Sequence, residues 1–383
     1  MKKFEAIESL RGWMAWWVVV GHALILTGAG SLLPPSLRFY LLNGSWAVAT
    51  FMIVSGFVIT HLLIIKQEDY LPYLIRRFFR LFPLFLVLMT VSILVRDIAQ
   101  IGYTNAYSQD IPMRIERYQL ENTHWMAHLF LHLTMIHGMI PDTVLKYASS
   151  TYLSPAWSLS LEWQFYMLAP IVLPMLSRFR RGNICAIVLM ITLIAISLSG
   201  WIGQWRYQSF LPIAMPFFLV GITSRLWFEK GFPYLASIAT IASLLVYCTA
   251  AGPIPPKGLV IILTIWVFFL LLTAREHGLL QFKAPMLDRL SWLVAHNPLI
   301  VALGRISYST YLVHMPIFSA IIGAGMLVSG KSDQTIVIIL AMACVPIIAA
   351  TSFLLYHYVE QPGVHLGKIA ADGAARRGLV ARL

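Results

Sequence analysis

An arginine and a histidine stand eleven residues apart near the start of the sequence, on a strongly apolar stretch. Arg11 and His22 lie in ESLRGWMAWWVVVGHA, residues 8–23. Eleven residues make about three helical turns, so both side chains would share one face, with His22 about 16 Å further along the axis. With Arg11 at a membrane surface, His22 would lie near the bilayer centre, where an ionisable group usually faces protein or water. The pair predicts either a structural histidine bonded to a neighbouring helix or a proton-transfer group.

A carboxylate is expected at a similar depth in another apolar stretch. In SPAWSLSLEWQFY, residues 154–166, Ser158, Glu162 and Tyr166 are spaced i, i+4, i+8 and share one helical face. A carboxylate within the membrane needs a partner or a proton. We therefore expect Glu162 to lie near His22 and to orient it or help move its proton. A purely structural bond between the two is the alternative.

Three arginines cluster before a further apolar stretch. The segment YLIRRFFRLFP, residues 73–83, carries Arg76, Arg77 and Arg80. Guanidinium groups match phosphate oxygens in geometry and charge, so the cluster predicts a phosphate clamp in a cytoplasmic loop. A plain topological anchor explains the same residues.

A shorter apolar segment, residues 125–140, is rich in histidine. His124, His128 and His132 are spaced i, i+4, i+8, a spacing that can bind zinc on a helix. No acidic or cysteine ligand is spaced to complete a site, so we expect no metal. An interfacial amphipathic helix explains the segment equally well.

The composition places these residues in a membrane protein. Of 383 residues, 59% are apolar and only 11% charged, with a mean hydropathy of +0.76. Soluble domains have about 25% charged residues. The start shows no cleavable signal peptide, so the first apolar stretch is expected to remain. The three cysteines lie in apolar stretches and predict neither a metal site nor a disulfide. The net charge of +12 is expected to mark cytoplasmic loops, not nucleic-acid binding.

The apolar stretches predict an all-α polytopic membrane protein with ten spans. Each is near the roughly 20 residues that a helix needs to cross the hydrocarbon. The predicted spans are 12–30, 46–65, 81–101, 153–176, 184–203, 209–227, 234–252, 258–274, 306–328 and 334–358.

The positive-inside rule decides whether residues 125–140 cross. If residues 125–140 do not cross the membrane, every basic segment falls on the cytoplasmic side. Residues 102–152 then form one outward-facing connection with an interfacial helix. Both termini are then cytoplasmic. The basic residues that carry this argument are Lys2, Lys3, Arg11, Lys66, Arg76, Arg77, Arg80, Arg178, Arg180, Arg181, Arg225, Lys230, Arg275, Lys283, Arg289, Arg305, Arg376, Arg377 and Arg382. The layout predicts one membrane domain over residues 1–362 and a short basic cytoplasmic tail over 363–383.

Taken in order, six motifs resemble the membrane acyltransferase 3 family, which includes O-acetyltransferases of bacterial O-antigen, peptidoglycan and exopolysaccharide. The resemblance runs from residue 5 to about 362. One departure is Met52, where the family tends to have a second aromatic residue before Ser-Gly-Phe. The motifs are Arg11-x10-His22 after IESLRG, FMIVSGF (51–57), RRFFRLFP (76–83), AWSLSLEWQFY (156–166), GRISYSTYLVHMPI (304–317) and YHYVEQP (356–362).

The resemblance implies an O-acyltransferase of the bacterial inner membrane. Its donor would be acyl-CoA, most commonly acetyl-CoA and in some relatives succinyl-CoA, bound from the cytoplasm, with no permanently held cofactor. The acceptor would be a sugar hydroxyl of a lipid-linked or exported glycan. Some members carry an SGNH hydrolase-like domain outside the membrane; this chain ends before one, so a stand-alone transferase is expected.

The resemblance also assigns residues. Arg11, His22 and Glu162 are the catalytic candidates, and His22 acts either as a general base or as a covalent acyl carrier. The donor-binding candidates are Arg76, Arg77, Arg80, Ser55, Gly56 and Phe57. Candidates around the acceptor, or in support, are Ser158, Tyr166, Trp157, Ser307, Tyr311 and His314, with Ser55 or the Trp157 indole as oxyanion donors.

A secondary transporter is the rival interpretation, since it too would place ionisable groups at mid-membrane in ten helices. Transporters of that kind often show paired halves with matching interrupted helices. The sequence contains no internal repeat of useful length, which favours the enzyme.

Overall fold

The computed structural model describes residues 4–177, 180–229, 232–281, 285–330 and 333–376. Within these ranges the chain is helical and has no strand. Several basic residues of the topology argument lie outside the described residues, namely Lys2, Lys3, Arg178, Lys230, Lys283, Arg377 and Arg382.

Seventeen α-helices make up the described part of the chain, in the following order. They are α1 Glu5–Thr27, α2 Pro35–Leu41, α3 Gly44–Lys66, α4 Tyr70–Leu94, α5 Arg96–Tyr103, α6 Ile111–Thr123, α7 Trp125–Leu133, α8 Trp157–Ser177, α9 Arg181–Leu198, α10 Leu211–Trp227, α11 Tyr234–Thr249, α12 Pro256–Glu276, α13 Pro285–Ser291, α14 Pro298–Arg305, α15 Ser307–Ser329, α16 Gln334–Leu355 and α17 Gln361–Arg376.

Nine of the ten predicted spans each overlap one long helix, and the third, 81–101, overlaps both α4 and α5. Eight helical stretches are long and apolar enough to cross a membrane, and α10 and α11 are shorter apolar helices. The prediction of an all-α polytopic membrane protein is therefore confirmed. The histidine-rich segment 125–140 forms only the nine-residue helix α7 and a 3-10 turn, too short to cross the hydrocarbon.

The third span was predicted in the wrong register. It was expected over 81–101, after a cytoplasmic arginine loop, whereas α4 begins at Tyr70 and ends at Leu94, and α5 follows as a separate helix. Arginine is a good helix former, so the cluster does not interrupt the helix. Its charges are accommodated inside the protein, which removes the need for an exposed loop.

Glycines bring several helices into backbone contact. A Cβ at Gly56 of α3 would overlap the Phe218 carbonyl of α10, and a Cβ at Gly221 would overlap the Ile53 carbonyl. In the same way, a Cβ at Gly12 of α1 would lie 2.8 Å from the Gly304 nitrogen of α14. Small residues at such crossings are typical of membrane helix packing.

The C-terminal helix closes the bundle against α4. A π-helical turn, Tyr356–Glu360, links α16 to α17. Pro83 has no N–H, so the Phe79 carbonyl lacks its usual helical donor, and Gly363 packs against this carbonyl and the Pro83 ring. The predicted tail from residue 363 thus begins as a packed helix, and residues 377–383 lie outside the described residues.

The layout predicts which positions face each side of the membrane. Reporters fused after Glu68, Arg180 and Arg376 should give a cytoplasmic signal, and one inserted at Asp110 should give an outside signal, because an odd number of spans separates Asp110 from the others. Alkaline phosphatase and green fluorescent protein fusions read the two sides independently. A cytoplasmic signal at Asp110 would contradict the ten-span layout.

The α3–α10 crossing predicts a packing role for Gly56. Gly56→Ala should lower the thermal unfolding midpoint in detergent, because the methyl group meets backbone atoms that must move, a destabilisation of about 1–3 kcal/mol. Gly44→Ala on the same helix is the control, since its Cβ would have only ordinary contacts at 3.9 Å. Equal midpoints for the two variants would show that the crossing is not tight.

Candidate active site

A cavity with an empty volume of about 800 Å³ lies between α1, α3, α4, α8 and α15. Apolar side chains of α3, including Phe51 and Val58, form one part of its wall. Cavities with apolar walls and a few converging polar groups are typical of small-molecule sites. The polar residues that line it are Arg11, Ser55, Arg77, Arg80, Ser158, Glu162, Tyr166, Ser307, Tyr308 and Tyr311.

The predicted polar face of α8 points into this cavity. Glu162 accepts hydrogen bonds from the Ser55 hydroxyl at 3.3 Å and from the Tyr166 hydroxyl. Ser158 donates to the Tyr311 hydroxyl at 2.9 Å. The i, i+4, i+8 spacing therefore places all three side chains in one site, because they lie on one uninterrupted helix.

Two of the lining arginines have carboxylate partners. Arg11 pairs with Glu8 at 3.0 Å, one turn earlier on α1. Arg80 pairs with Glu360, whose side chain is fully buried and also accepts from Ser309 at 2.9 Å. Because Glu360 lies in the π-helical turn, the C-terminal part of the chain completes this wall.

Arg77 differs from its neighbours in having no carboxylate within 4 Å among the residues that the structure describes. Its guanidinium lies 5.7 Å from the centre of the Tyr166 ring. The cavity thus contains one cation with no ion-pair partner, which makes it suited to an anionic ligand.

Arg76 does not line the cavity. It pairs with Glu68 at 2.5 Å and with Asp372 of α17 at 2.8 Å. The three arginines of the sequence motif therefore divide between two places, with Arg77 and Arg80 at the cavity and Arg76 in a structural pair.

His22 is bonded to a second histidine. Its Nδ1 lies 3.1 Å from Nε2 of His314, and the rings stack with centres 5.1 Å apart. The Thr310 carbonyl, 3.3 Å from Nδ1 of His314, can only accept, so a neutral His314 carries its proton on Nδ1. Its Nε2 then accepts from Nδ1–H of His22, which leaves Nε2 of His22 as the unprotonated nitrogen.

The expected contact between His22 and Glu162 is replaced by this histidine pair. Glu162 has Ser55 and Tyr166 as partners, and His22 is not part of the cavity wall. Tyr311 connects the two places, since it lines the cavity and its ring centre lies 6.1 Å from that of His314. In the sequence, Ser307, Tyr311 and His314 follow one another at helical spacing, which is a signal for His314 as a site residue but not for its pairing with His22.

Of the remaining candidates, one lines the cavity and three do not. Ser307 lines it, and within the described ranges its buried hydroxyl has no hydrogen-bond partner. Phe57 is buried among aromatic rings, including Phe4 and Trp266, and the Trp157 indole stacks on Tyr207 at 5.4 Å. Gly56, Phe57 and Trp157 are outside the cavity wall, and their roles in donor or oxyanion binding stay predictions.

The histidines of the short segment support the fold. His132 Nδ1 donates to the His128 carbonyl at 2.8 Å, and Thr151 bonds the His128 ring at 3.2 Å. His137 Nε2 donates to the Ala156 carbonyl at 3.0 Å, and burial lowers the pKa of His137 to about 4. The described residues contain no group of three histidine, cysteine or acidic side chains that could hold a metal.

Comparison with known proteins gives one family and a set of distant relatives. The family model described as "Acyltransferase domain" matches residues 4–357. The chain is 23% identical over 322 residues to "O-acetyltransferase OatA" of Staphylococcus aureus strains NCTC 8325 / PS 47, COL and MRSA252. The match covers 73% of this chain and 47% of each relative, so the chain spans about half their length. No solved structure gives a significant match.

Proposed function

Because this chain belongs to the acyltransferase 3 family and is an acyltransferase, we propose that it transfers an acyl group from cytoplasmic acyl-CoA to a sugar hydroxyl. The acyl group proposed is acetyl, and the acceptor is a cell-surface or exported carbohydrate. The membrane proposed is the bacterial cytoplasmic membrane. Family membership also sets aside the transporter interpretation.

The observation that carries this proposal is the arginine-lined cavity beside the histidine pair. Coenzyme A brings phosphate groups at one end and a thioester at the other, joined by a flexible, uncharged arm. Arg77, Arg80 and Arg11 suit the phosphates, and the apolar wall from α3 suits the arm. His22 is eleven residues beyond Arg11 on α1, about 16 Å along the axis, a distance that an extended arm can bridge.

The proposed chemistry uses the free nitrogen of His22. The acceptor oxygen attacks the thioester carbonyl carbon while its proton passes to Nε2 of His22. The carbon–sulfur bond then breaks, and the CoA sulfur leaves and takes up that proton. His314 holds the His22 ring in the required tautomer, since its Nε2 accepts from Nδ1–H of His22. In the covalent alternative, Nε2 of His22 carries the acyl group between donor and acceptor.

Glu162 is proposed to organise the donor end of the site. As a carboxylate it accepts from Ser55 and Tyr166, and so fixes both hydroxyls at the cavity wall. Tyr166 in turn lies against Arg77. In this arrangement Glu162 is a positioning residue: it acts through Tyr166 on Arg77, the cation that would bind the donor phosphates.

Arg77 and Arg76 offer a matched test of donor binding. Arg77→Gln should weaken acetyl-CoA binding to the purified protein about tenfold or more, because a charge-assisted bond to phosphate is lost. Arg76→Gln, one residue away but outside the cavity, should leave this affinity within about twofold. Isothermal titration in detergent measures both. Equal affinities for Arg77→Gln and wild type would remove the arginines from the donor site.

His22 is tested by a substitution that keeps hydrogen bonding but cannot titrate. His22→Gln should lower acyl transfer about 10²–10⁴-fold, since the base is lost. His314→Gln should lower it less, because the amide oxygen can still accept from His22. Release of free CoA and mass spectrometry of cellular glycans give the rates at equal membrane abundance. A His22→Gln rate above a tenth of wild type contradicts the assignment.

A further inference from the structure

A second cavity lies further along α15 than His314. It has an empty volume of about 570 Å³ and is formed by the end of α4, by α5 and α6, by residues 152–154 and by the middle of α15. None of its lining residues was a candidate in the sequence.

The two cavities are stacked along the same helices. On α4, Arg77, Arg80 and Leu81 line the first cavity. Ser92 near the end of α4 lines the second, together with Val95 and Arg96, which follow directly at the start of α5. The two sets are separated by roughly fifteen residues, or about 20 Å.

The other helix places the histidine pair between the cavities. On α15, Ser307, Tyr308 and Tyr311 line the first cavity, and Met315, Pro316 and Ser319 line the second. His314 lies between these two sets. Along α15 the histidine pair therefore lies at a level between the two cavities, and neither histidine is part of either wall.

The lining of the second cavity combines aromatic rings with planar charged groups. Arg96 lies 3.0 Å from Glu121 and 4.4 Å from the centre of the Tyr118 ring. Arg117 donates to the Ser150 carbonyl at 3.0 Å and lies 4.5 Å from the centre of the Tyr103 ring. Rings that cover the apolar face of a sugar, beside groups that bond its hydroxyls, suit a saccharide.

Two polar groups at this cavity lack partners. Within the described ranges, the Ser92 hydroxyl and Nη2 of Arg96 are buried and make no hydrogen bond. The Ser92 side chain belongs to a residue that is only 9% exposed, and it lines the cavity. Buried polar groups in native proteins nearly always have partners, so these two point to a polar ligand that supplies them.

We propose that this second cavity binds the sugar that accepts the acyl group. The inference rests on the proposed function and adds the acceptor's place and class: a saccharide ring on the tyrosines, with hydroxyls toward Ser92, Arg96 and Glu121. The hydroxyl to be acylated points toward His22. Donor and acceptor thus occupy separate cavities, and neither has to displace the other.

Filling the cavity tests the proposal. Ala99 lines it and is half-buried, so Ala99→Phe should block the acceptor and lower glycan acylation in cells at least tenfold. Acetyl-CoA affinity of the purified protein should stay within twofold, because the donor cavity is untouched. Ala195→Phe on α9, also half-buried and lining neither cavity, is the control for a large side chain in the membrane.

A smaller substitution in the same cavity tests the proposal even if Ala99→Phe fails to fold. Ser92→Ala removes a hydroxyl that has no partner to lose, so the fold should be kept. With glycan extracted from cells lacking the protein as the acceptor, its KM should rise about 2- to 10-fold, the value of one hydrogen bond, while KM for acetyl-CoA stays constant.

The outcomes separate this inference from the function on which it rests. If wild-type protein releases no CoA and cellular glycans are the same without it, the proposed function fails. If wild type is active, but Ala99→Phe acylates glycans as fast as Ala195→Phe and Ser92→Ala has the wild-type glycan KM, the acceptor site lies elsewhere and only this inference is overturned.

Discussion

The close approach of two glycines sets the level of every functional group on the first helix. Gly12 of α1 and Gly304 of α14 leave no room for a side chain between their backbones. His22 follows Gly12 by ten residues, and His314 follows Gly304 by ten residues. Gly304 is at the end of α14, and α15, which carries His314, begins three residues later, so both histidines lie at a similar height, roughly 15 Å from the glycine contact. The histidine bond is thus a consequence of a backbone contact two to three turns away.

The second constraint is that charge inside a membrane protein must be satisfied by protein. The arginines of α4 meet it in two ways. Arg76 and Arg80 have carboxylates from the C-terminal part of the chain, and Arg77 lies against an aromatic ring at the cavity. Arg77 is therefore left without a carboxylate partner among the described residues, while the ion pairs of Arg76 and Arg80 hold α4 against the C-terminal part of the chain.

Properties of single helices could be predicted from the sequence, and properties that depend on two helices could not. Ser158, Glu162 and Tyr166 share a cavity as their spacing predicts, because helical periodicity alone decides it. The partner of His22 depends on the relative height of α1 and α15, which no spacing within either helix reveals. For the same reason a run of arginines predicted a loop, since Glu360 and Asp372 lie almost 300 residues away along the chain.

The second cavity depends entirely on contacts between helices, so nothing in the sequence predicted it. Its wall is built from short helices between α4 and α8, whose positions come from tertiary packing: α5 lies against α15 because Gly102 and Gly323 allow backbone contact. Such a segment has no long apolar pattern, and its tyrosines and arginines carry no motif. Their common role follows only from their convergence around one cavity in the folded chain.

The bond between Arg80 and Glu360 also has a consequence for how the protein is made. The two residues are 280 positions apart. At about 5–20 residues per second, the ribosome needs roughly 15–55 s to travel from one codon to the other. During that time Arg80 lacks this partner, so its charge has to be met by water or by another group. The bond forms only after Glu360 has been synthesised, so this contact of the cavity wall is among the last to be made.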